Sequence, residues 1–287
     1  MTQKIFFNGE IVDAASAKLG ITDAGFLYGA GLFETMRASG EVVFAIEDHI
    51  DRLIYSAQVL EIKLAGDKKY FVDAVYKTLE ANGLKDARIR LTVSSGPIGV
   101  DEPVPTVLVS ATAFEPYPEE YYKKGVLVTL SQARQNPIDH LTGHKTTSYF
   151  SRLISLSNAH KKGAAEALWF TVDGRLAEGC VSNVFIVKDS VIHTPPLKTP
   201  VLGGITRKYI FEIARENSIE IDEKDITIKE LLAADEVFLT NVIMQVMPVI
   251  RVEAHDIADA KVGAITKKMS ELFADCVDDY RENHSRD

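Results

Sequence analysis

Gly143-His144-Lys145-Thr146-Thr147-Ser148-Tyr149-Phe150 and, further on, Leu176-Ala177-Glu178-Gly179-Cys180-Val181-Ser182-Asn183-Val184-Phe185 are the stretches around which the rest of this chain is arranged. Lys145 opens a segment whose apolar residues Phe150, Leu153, Ile154 and Leu156 fall at helical spacing, so its amine is expected to project from the edge of an ordered element. A lysine held there is a fixed nucleophile. An isolated lysine is most often a solvated surface charge, and what separates the two cases is its companions.

The 287 residues allow one large or two modest domains with a sizeable core. Charged residues at 25% and hydrophobic ones at 46% are ordinary for a globular enzyme. A net charge of −9 disfavours nucleic acid as the main partner, since phosphate backbones need basic surface, while leaving room for a local basic pocket. Cys180 and Cys276 have neither CxxC nor Cys/His spacing, so no metal site and no disulfide framework is expected, and both read as buried thiols. The opening residues carry too short an apolar run for a signal peptide and no later run approaches a membrane span, which places the protein in the cytoplasm by default.

In chain order, Lys4 to Asp13 reads as a hairpin turning at Asn8-Gly9. A glycine-rich run from Gly25 to Arg37 enters a strand, and Ser39-Gly40 turns into a second one at Glu41 to Ala45. Gly29 and Gly31 lack the third glycine of a dinucleotide fingerprint and no strand precedes them; Gly143-His144-Lys145-Thr146 likewise fails as a phosphate loop. Ile46, Ile50, Leu53, Ile54, Ala57 and Leu60 mark an amphipathic helix with Arg52 beside its stripe, and a second helix runs from about Asp67 to Asn82, ended by Gly83. Strands follow at Arg88 to Ser94 and Thr106 to Thr112 around a loop rich in Gly and Pro. Phe114 to Gly125 breaks both periodicities, so a linker is placed at 114–125, between a small domain over 1–118 and a larger one over 119–287. Beyond it come a strand from Val126, a helix to about Lys162 and a β-meander through Ala167 to Thr194. Gly203-Gly204-Ile205-Thr206-Arg207 opens a helix whose start suits an anion. A strand over Glu236 to Asn241 and a closing helix from Val262 complete an α/β chain of mixed α+β character.

One lysine, an acidic residue 33 positions later, an arginine and a glycine-led helix start meet the needs of pyridoxal 5′-phosphate. Its aldehyde takes a lysine as a Schiff base, its pyridine nitrogen needs a carboxylate to keep a proton, and its phosphate needs backbone N–H groups and a guanidinium.

The chain resembles the class IV aminotransferases, the fold-type IV pyridoxal phosphate enzymes that include branched-chain and D-amino acid aminotransferases and 4-amino-4-deoxychorismate lyase. The resemblance covers nearly the whole chain. It rests on Tyr28-Gly29 with Phe33-Glu34-Thr35-Met36-Arg37, on His49-Ile50-Asp51-Arg52-Leu53, on Lys145, on Glu178-Gly179 with Ser182-Asn183-Val184-Phe185, on Gly204-Ile205-Thr206-Arg207, and on Pro248-Val249. It implies two α/β domains with the cofactor between them, in a homodimer. Lys145 then looks like the Schiff-base lysine and proton shuttle, and Glu178 like the partner of the pyridine nitrogen. Arg52, the backbone of Ile205, and Thr206 look like phosphate ligands, and Tyr149 resembles a tyrosine that bonds the cofactor O3′. Tyr28, Phe33 and Thr35 match positions lining the substrate pocket.

Two departures narrow the choice. Val242, in Thr240-Asn241-Val242-Ile243, stands where many family members place a threonine hydroxyl on the phosphate, so only main-chain N–H groups can serve there, and Asn241 and Val242 are expected to bind the cofactor. The loop Ser95 to Pro105 contains no Arg or His, whereas D-amino acid aminotransferases of the best-known type carry an Arg-x-His carboxylate trap in it. The leading expectation is an aminotransferase working on an amino acid or amine and a 2-oxo acid. Thr35 and Asn241 look more like the lyase, which releases pyruvate and p-aminobenzoate, and a non-catalytic dimeric metabolite-binding protein is the alternative of another class.

Overall fold

In the computed structural model, which describes residues 2–285, the chain forms two compact units. One contains the residues up to Glu115, His144–Tyr149 and those from Asp278 on; the other contains Pro116–Gly143 and Phe150–Val277.

In the first unit, β1 (Lys4–Phe7) and β2 (Glu10–Asp13) form the hairpin, with Asn8 and Gly9 at φ 49° and 104° as its two-residue turn requires. Asp23 caps α1 (Ala24–Tyr28) by accepting the Gly25 and Phe26 N–H groups, and Gly29 ends it in left-handed backbone. The glycine-rich run therefore holds a short helix before its strand, β3 (Gly31–Ser39). The next strand, β4, spans only Val42–Val43, because Glu41 and Ala45 take φ of 71° and 50° and leave extended geometry.

Helices α2 (Ile46–Val59) and α3 (Lys68–Asn82) lead into β5 (Ala87–Ser94) and β6 (Val107–Ala113). The antiparallel sheet has the order β2-β1-β6-β5-β3-β4. Side chains alternate across it, so Met36, Ile89, Leu91 and Val109 pack with Ile50, Leu53, Phe71 and Val75 of α2 and α3, while Phe33, Thr35 and Arg90 take the opposite face.

Lys145 is not at a helix edge. Residues 144–149 run along the start of β3: the Phe33 N–H donates to the Lys145 carbonyl at 2.9 Å and the Thr147 N–H to that of Gly31 at 2.8 Å, with Leu32 opposite Thr146.

The second unit begins with α4 (Glu119–Lys124), a helix inside the expected linker, and β7 (Val126–Gln135). Next come α5 (Phe150–Lys161), β8 (Glu166–Thr171), β9 (Leu176–Gly179), β10 (Asn183–Lys188), β11 (Val191–Thr194) and α6 (Ile205–Glu216). They are followed by β12 (Ile221–Glu223), α7 (Ile228–Leu232), β13 (Glu236–Asn241), β14 (Gln245–Val252), β15 (His255–Asp256) and α8 (Ala264–Asn283), whose last turns belong to the first unit. The mixed sheet runs β12-β11-β10-β13-β14-β7-β8-β9, with β15 on β14. Strands β7 and β8 are parallel and joined through α5, and every residue of β8 is buried, as a strand covered on both faces should be.

Helix α5 departs from its expected packing. Its spaced apolar residues Phe150, Leu153 and Ile154 are 75%, 54% and 46% exposed, and the face turned to β7 and β8 carries the small residues Ser155 and Ala159. The Ser131 and Ser155 hydroxyls bond each other at 3.0 Å on that inner face.

Candidate active site

In the first unit the expected residues fall into two groups. Phe33 is the centre of one. Its buried ring lies 4.6 Å from Lys145 Nζ, 3.8 Å from the Arg90 guanidinium carbon and 5.4 Å from the Tyr149 ring in edge-to-face contact. Two cations therefore share one aromatic neighbour. Burial and the nearby Arg88 charge both weaken the hold of Arg90 on its proton, though an arginine stays cationic in any case. Thr35 lies directly opposite Arg90 across the β3–β5 pair, and Tyr28 is exposed at the end of α1. No motif in the sequence announces Arg90; the signal available was its place two residues from Arg88, on the polar face of a strand otherwise patterned for the core.

Arg52 anchors the other group. Its Nε donates to Glu34 Oε1 at 2.8 Å and its Nη2 to Oε2 at 2.5 Å, a two-pronged fork. His49 Nδ1 lies 2.7 Å from the same Oε2. Burial would raise the Glu34 carboxyl, but the Arg52 charge and the His49 hydrogen bond prevail and hold it at about 2. An anion must accept, so His49 Nδ1 carries the proton of that bond. Burial lowers the His49 pKa more strongly than Glu34 raises it, and the ring is neutral. The sequence signal was a glutamate on the inward side of β3, between Leu32 and Met36, a place that demands a buried partner.

In the second unit Glu178, 3% exposed, is the penultimate residue of β9 and has both oxygens engaged. Arg152 Nη2 donates to Oε1 at 2.5 Å and the Leu202 N–H to Oε2 at 2.9 Å. The following turn is held by Glu166, which is fully buried. Glu166 accepts from the N–H groups of Ala167, Cys180 and Val181 and from the Ser182 hydroxyl, and burial nevertheless raises its carboxyl. Gly179 has no room for a side chain, since a Cβ there would lie 2.2 Å from Ser182 Oγ. Cys180 is buried, as expected, and its thiol is pushed up to about 12 by burial and by Glu166, so it is not a nucleophile; Cys276 is half-buried.

The start of α6 has the character of an anion site. Gly204 is its N-cap and supplies no side-chain cap, so the amides of Ile205, Thr206 and Arg207 have no acceptor within the helix. The Thr206 hydroxyl is buried without a hydrogen-bond partner, and so is the Thr240 hydroxyl on β13, the strand against which α6 packs. Orphaned buried donors beside a helix N-terminus are what a bound phosphate would satisfy, so these residues fit the phosphate of pyridoxal 5′-phosphate. Asn241 is engaged otherwise: Oδ1 accepts from Ile243 and Met244, both at 2.8 Å, and Nδ2 donates to the Val181 carbonyl, so its side chain builds the β13–β14 turn in which Val242 is half-buried.

Among the described residues there is no group of His, Cys, Asp and Glu suited to a metal ion, and no helix long and apolar enough to cross a membrane.

Residues 31–252 match the family model for amino-transferase class IV. A Methanocaldococcus jannaschii protein named as a branched-chain-amino-acid aminotransferase is 37% identical, over 95% of this chain and 96% of its own. The aminodeoxychorismate lyase of Bacillus subtilis is 31% identical over 87% of this chain and 86% of its own. The crystal structure of the Escherichia coli branched-chain amino acid aminotransferase superposes with a TM-score of 0.91 at 29% identity, covering 96% of this chain and 95% of that one. The mixed α/β fold is fold type IV, and the chain belongs to the pyridoxal phosphate-dependent class IV aminotransferases.

Proposed function

We propose that the protein moves an amino group between an amino acid or amine and a 2-oxo acid, with pyridoxal 5′-phosphate attached at Lys145. The observation that carries this reading is the uncapped start of α6 with the orphaned Thr206 hydroxyl, a ready cradle for the phosphate of that cofactor. When bound, the cofactor supplies an electron sink for negative charge at the substrate α-carbon.

The chain's residues do the rest. Lys145 holds the cofactor and carries a proton to and from the α-carbon, its amine placed by the pairing of its own backbone with β3. Glu178 keeps a proton on the pyridine nitrogen, and Tyr149 donates to O3′. The Ile205 amide and Thr206 bind the phosphate, joined by the main chain at Asn241 and Val242 and by Arg52, whose fork Glu34 holds in one orientation. Tyr28, Phe33 and Thr35 line the substrate pocket, and Arg90, on the ring that Lys145 also approaches, is placed to take a substrate carboxylate.

Borohydride reduction should fix the cofactor on Lys145, and Lys145→Ala should lose nearly all turnover, because positioned proton transfer alone contributes ~10²–10⁴-fold. A reduced adduct mapped to another lysine overturns the assignment. Substrate is tested with a panel of amino donors and 2-oxo acid acceptors that includes both enantiomers of each amino acid. The second reading, a lyase, is favoured by the similarity to the Bacillus subtilis enzyme. It is decided by adding aminodeoxychorismate and following pyruvate and p-aminobenzoate.

A further inference from the structure

The Arg152 guanidinium does more than pair with a carboxylate. While Nη2 holds Glu178 Oε1 at 2.5 Å, Nη1 donates to the Gly179 carbonyl at 2.9 Å and reaches that of Cys180 at 3.4 Å. One planar group thus ties the Glu178 side chain to the main chain just beyond it. From the other side the Leu202 N–H holds Oε2, so the carboxylate plane is fixed at both oxygens. Beneath the guanidinium lies Trp169, the sole tryptophan of the chain, with its ring centroid 5.2 Å from Cζ. Glu166 clamps the next three residues of the same turn, so the segment carrying Glu178 is held along its length.

We propose that Arg152 is a positioning residue for the transfer reaction: it fixes the orientation of Glu178, so that Glu178 can hold a proton on the pyridine nitrogen. This rests on the reading of Glu178 as the partner of that nitrogen. A carboxylate free to turn would meet the ring nitrogen in only a fraction of its orientations. Lysine could supply the charge but not the fork, since its three donors sit on one nitrogen while Arg152 reaches the carboxylate and the carbonyls from two nitrogens held in one plane. The signal in the sequence is slight, an arginine on the first turn of α5 and 26 residues before its partner. The same contacts could serve merely to staple α5 to the end of β9, and the test must separate the two roles.

The separating probe is 1-deazapyridoxal phosphate, in which a C–H group replaces the ring nitrogen. Protein stripped of cofactor is titrated with pyridoxal phosphate and with this analogue, and binding is followed by the quenching of Trp169. Arg152→Gln should weaken pyridoxal phosphate about tenfold while leaving the analogue within about twofold of the parent, with Arg152→Lys in between. Equal weakening of both ligands, or of neither, overturns the proposal; the first of these marks a staple. Should Arg152→Gln fail to fold, Arg152→Lys alone must show the same discrimination, and its absence there is equally decisive. Glu178→Gln is run in parallel. If it discriminates and the Arg152 variants do not, only the role of Arg152 falls. If it binds both ligands as the parent does, the reading of Glu178 falls, and this inference with it.

Discussion

Glu34 is a carboxylate on the side of β3 that faces the core, and its environment makes it both necessary and titratable. Its carboxyl falls from 4.5 to about 2 in the folded protein, which corresponds to about 3 kcal/mol of stability. Because the folded value lies below the unfolded one, that stability is complete above pH 4.5 and is lost as pH falls towards 2. His49 acts in the same direction at higher pH: burial lowers its pKa, so the folded state resists its protonation as pH drops below the ordinary 6.5. Glu34→Gln should therefore lower the thermal midpoint at neutral pH, where Arg52 loses its counter-charge, and should flatten the fall in midpoint between pH 4.5 and 2.5. Thermal scans of the two proteins across that range check this, and parallel pH profiles would remove Glu34 as the acid-sensitive group.

At the level of elements, what the sequence discloses is what neighbours in the chain decide. Asn8-Gly9 specifies its hairpin turn through backbone preference alone, and the stripe from Ile46 specifies α2 together with the face it buries. Lys145 was recognisable as the cofactor's candidate, but its pairing with β3 joins residues more than a hundred positions apart and leaves no local trace. Arg152 with Glu178 and Arg52 with Glu34, 26 and 18 residues apart, are nearer in the chain, yet each links two elements through a spacing that matches no local period. Periodicity showed that α5 has an apolar face, but not that small residues pack inward and leave that face uncovered. The start of α6 was legible because two glycines before a helix are a local feature. Gly204 is required there by space rather than by torsion: its φ is −63°, open to any residue, but a Cβ would lie 1.9 Å from Asn183 Oδ1. Alanine must push Asn183 away, breaking its Nδ2 bond to the Leu202 carbonyl and shifting the amides of the first turn. Overpacking of this kind costs about 1–3 kcal/mol, so Gly204→Ala should weaken pyridoxal phosphate about tenfold in an equilibrium titration of stripped protein. Unchanged affinity would show that the first turn of α6 does not touch the phosphate.

For the whole molecule, the open question is what covers the apolar surface that the chain leaves in water. Phe150, Leu153 and Ile154 stand at i, i+3 and i+4 on α5 and form one stripe, at exposures of 75%, 54% and 46%. Apolar residues scattered singly over a surface are ordinary, whereas a contiguous helical stripe is the usual mark of an interaction site. A second copy of the chain is the simplest occupant, since most homo-oligomers close through a twofold axis that places the same patch on both partners. We propose a homodimer that buries this stripe. Phe150→Asp with Leu153→Glu places like charges on the stripe of each copy, and desolvating them at the interface should weaken association at least a hundredfold. Neither side chain packs in the core of its own unit, so the paired substitution should leave the thermal midpoint of the separated chain little changed. Sedimentation equilibrium over a concentration series is the direct measurement: the parent should sediment as a dimer at micromolar concentration and the variant as a monomer. A parent that stays monomeric at those concentrations ends the dimer proposal. A variant that remains as dimeric as the parent moves the interface to another surface, with the exposed Phe26, Leu27 and Tyr28 of α1 as the next patch to charge.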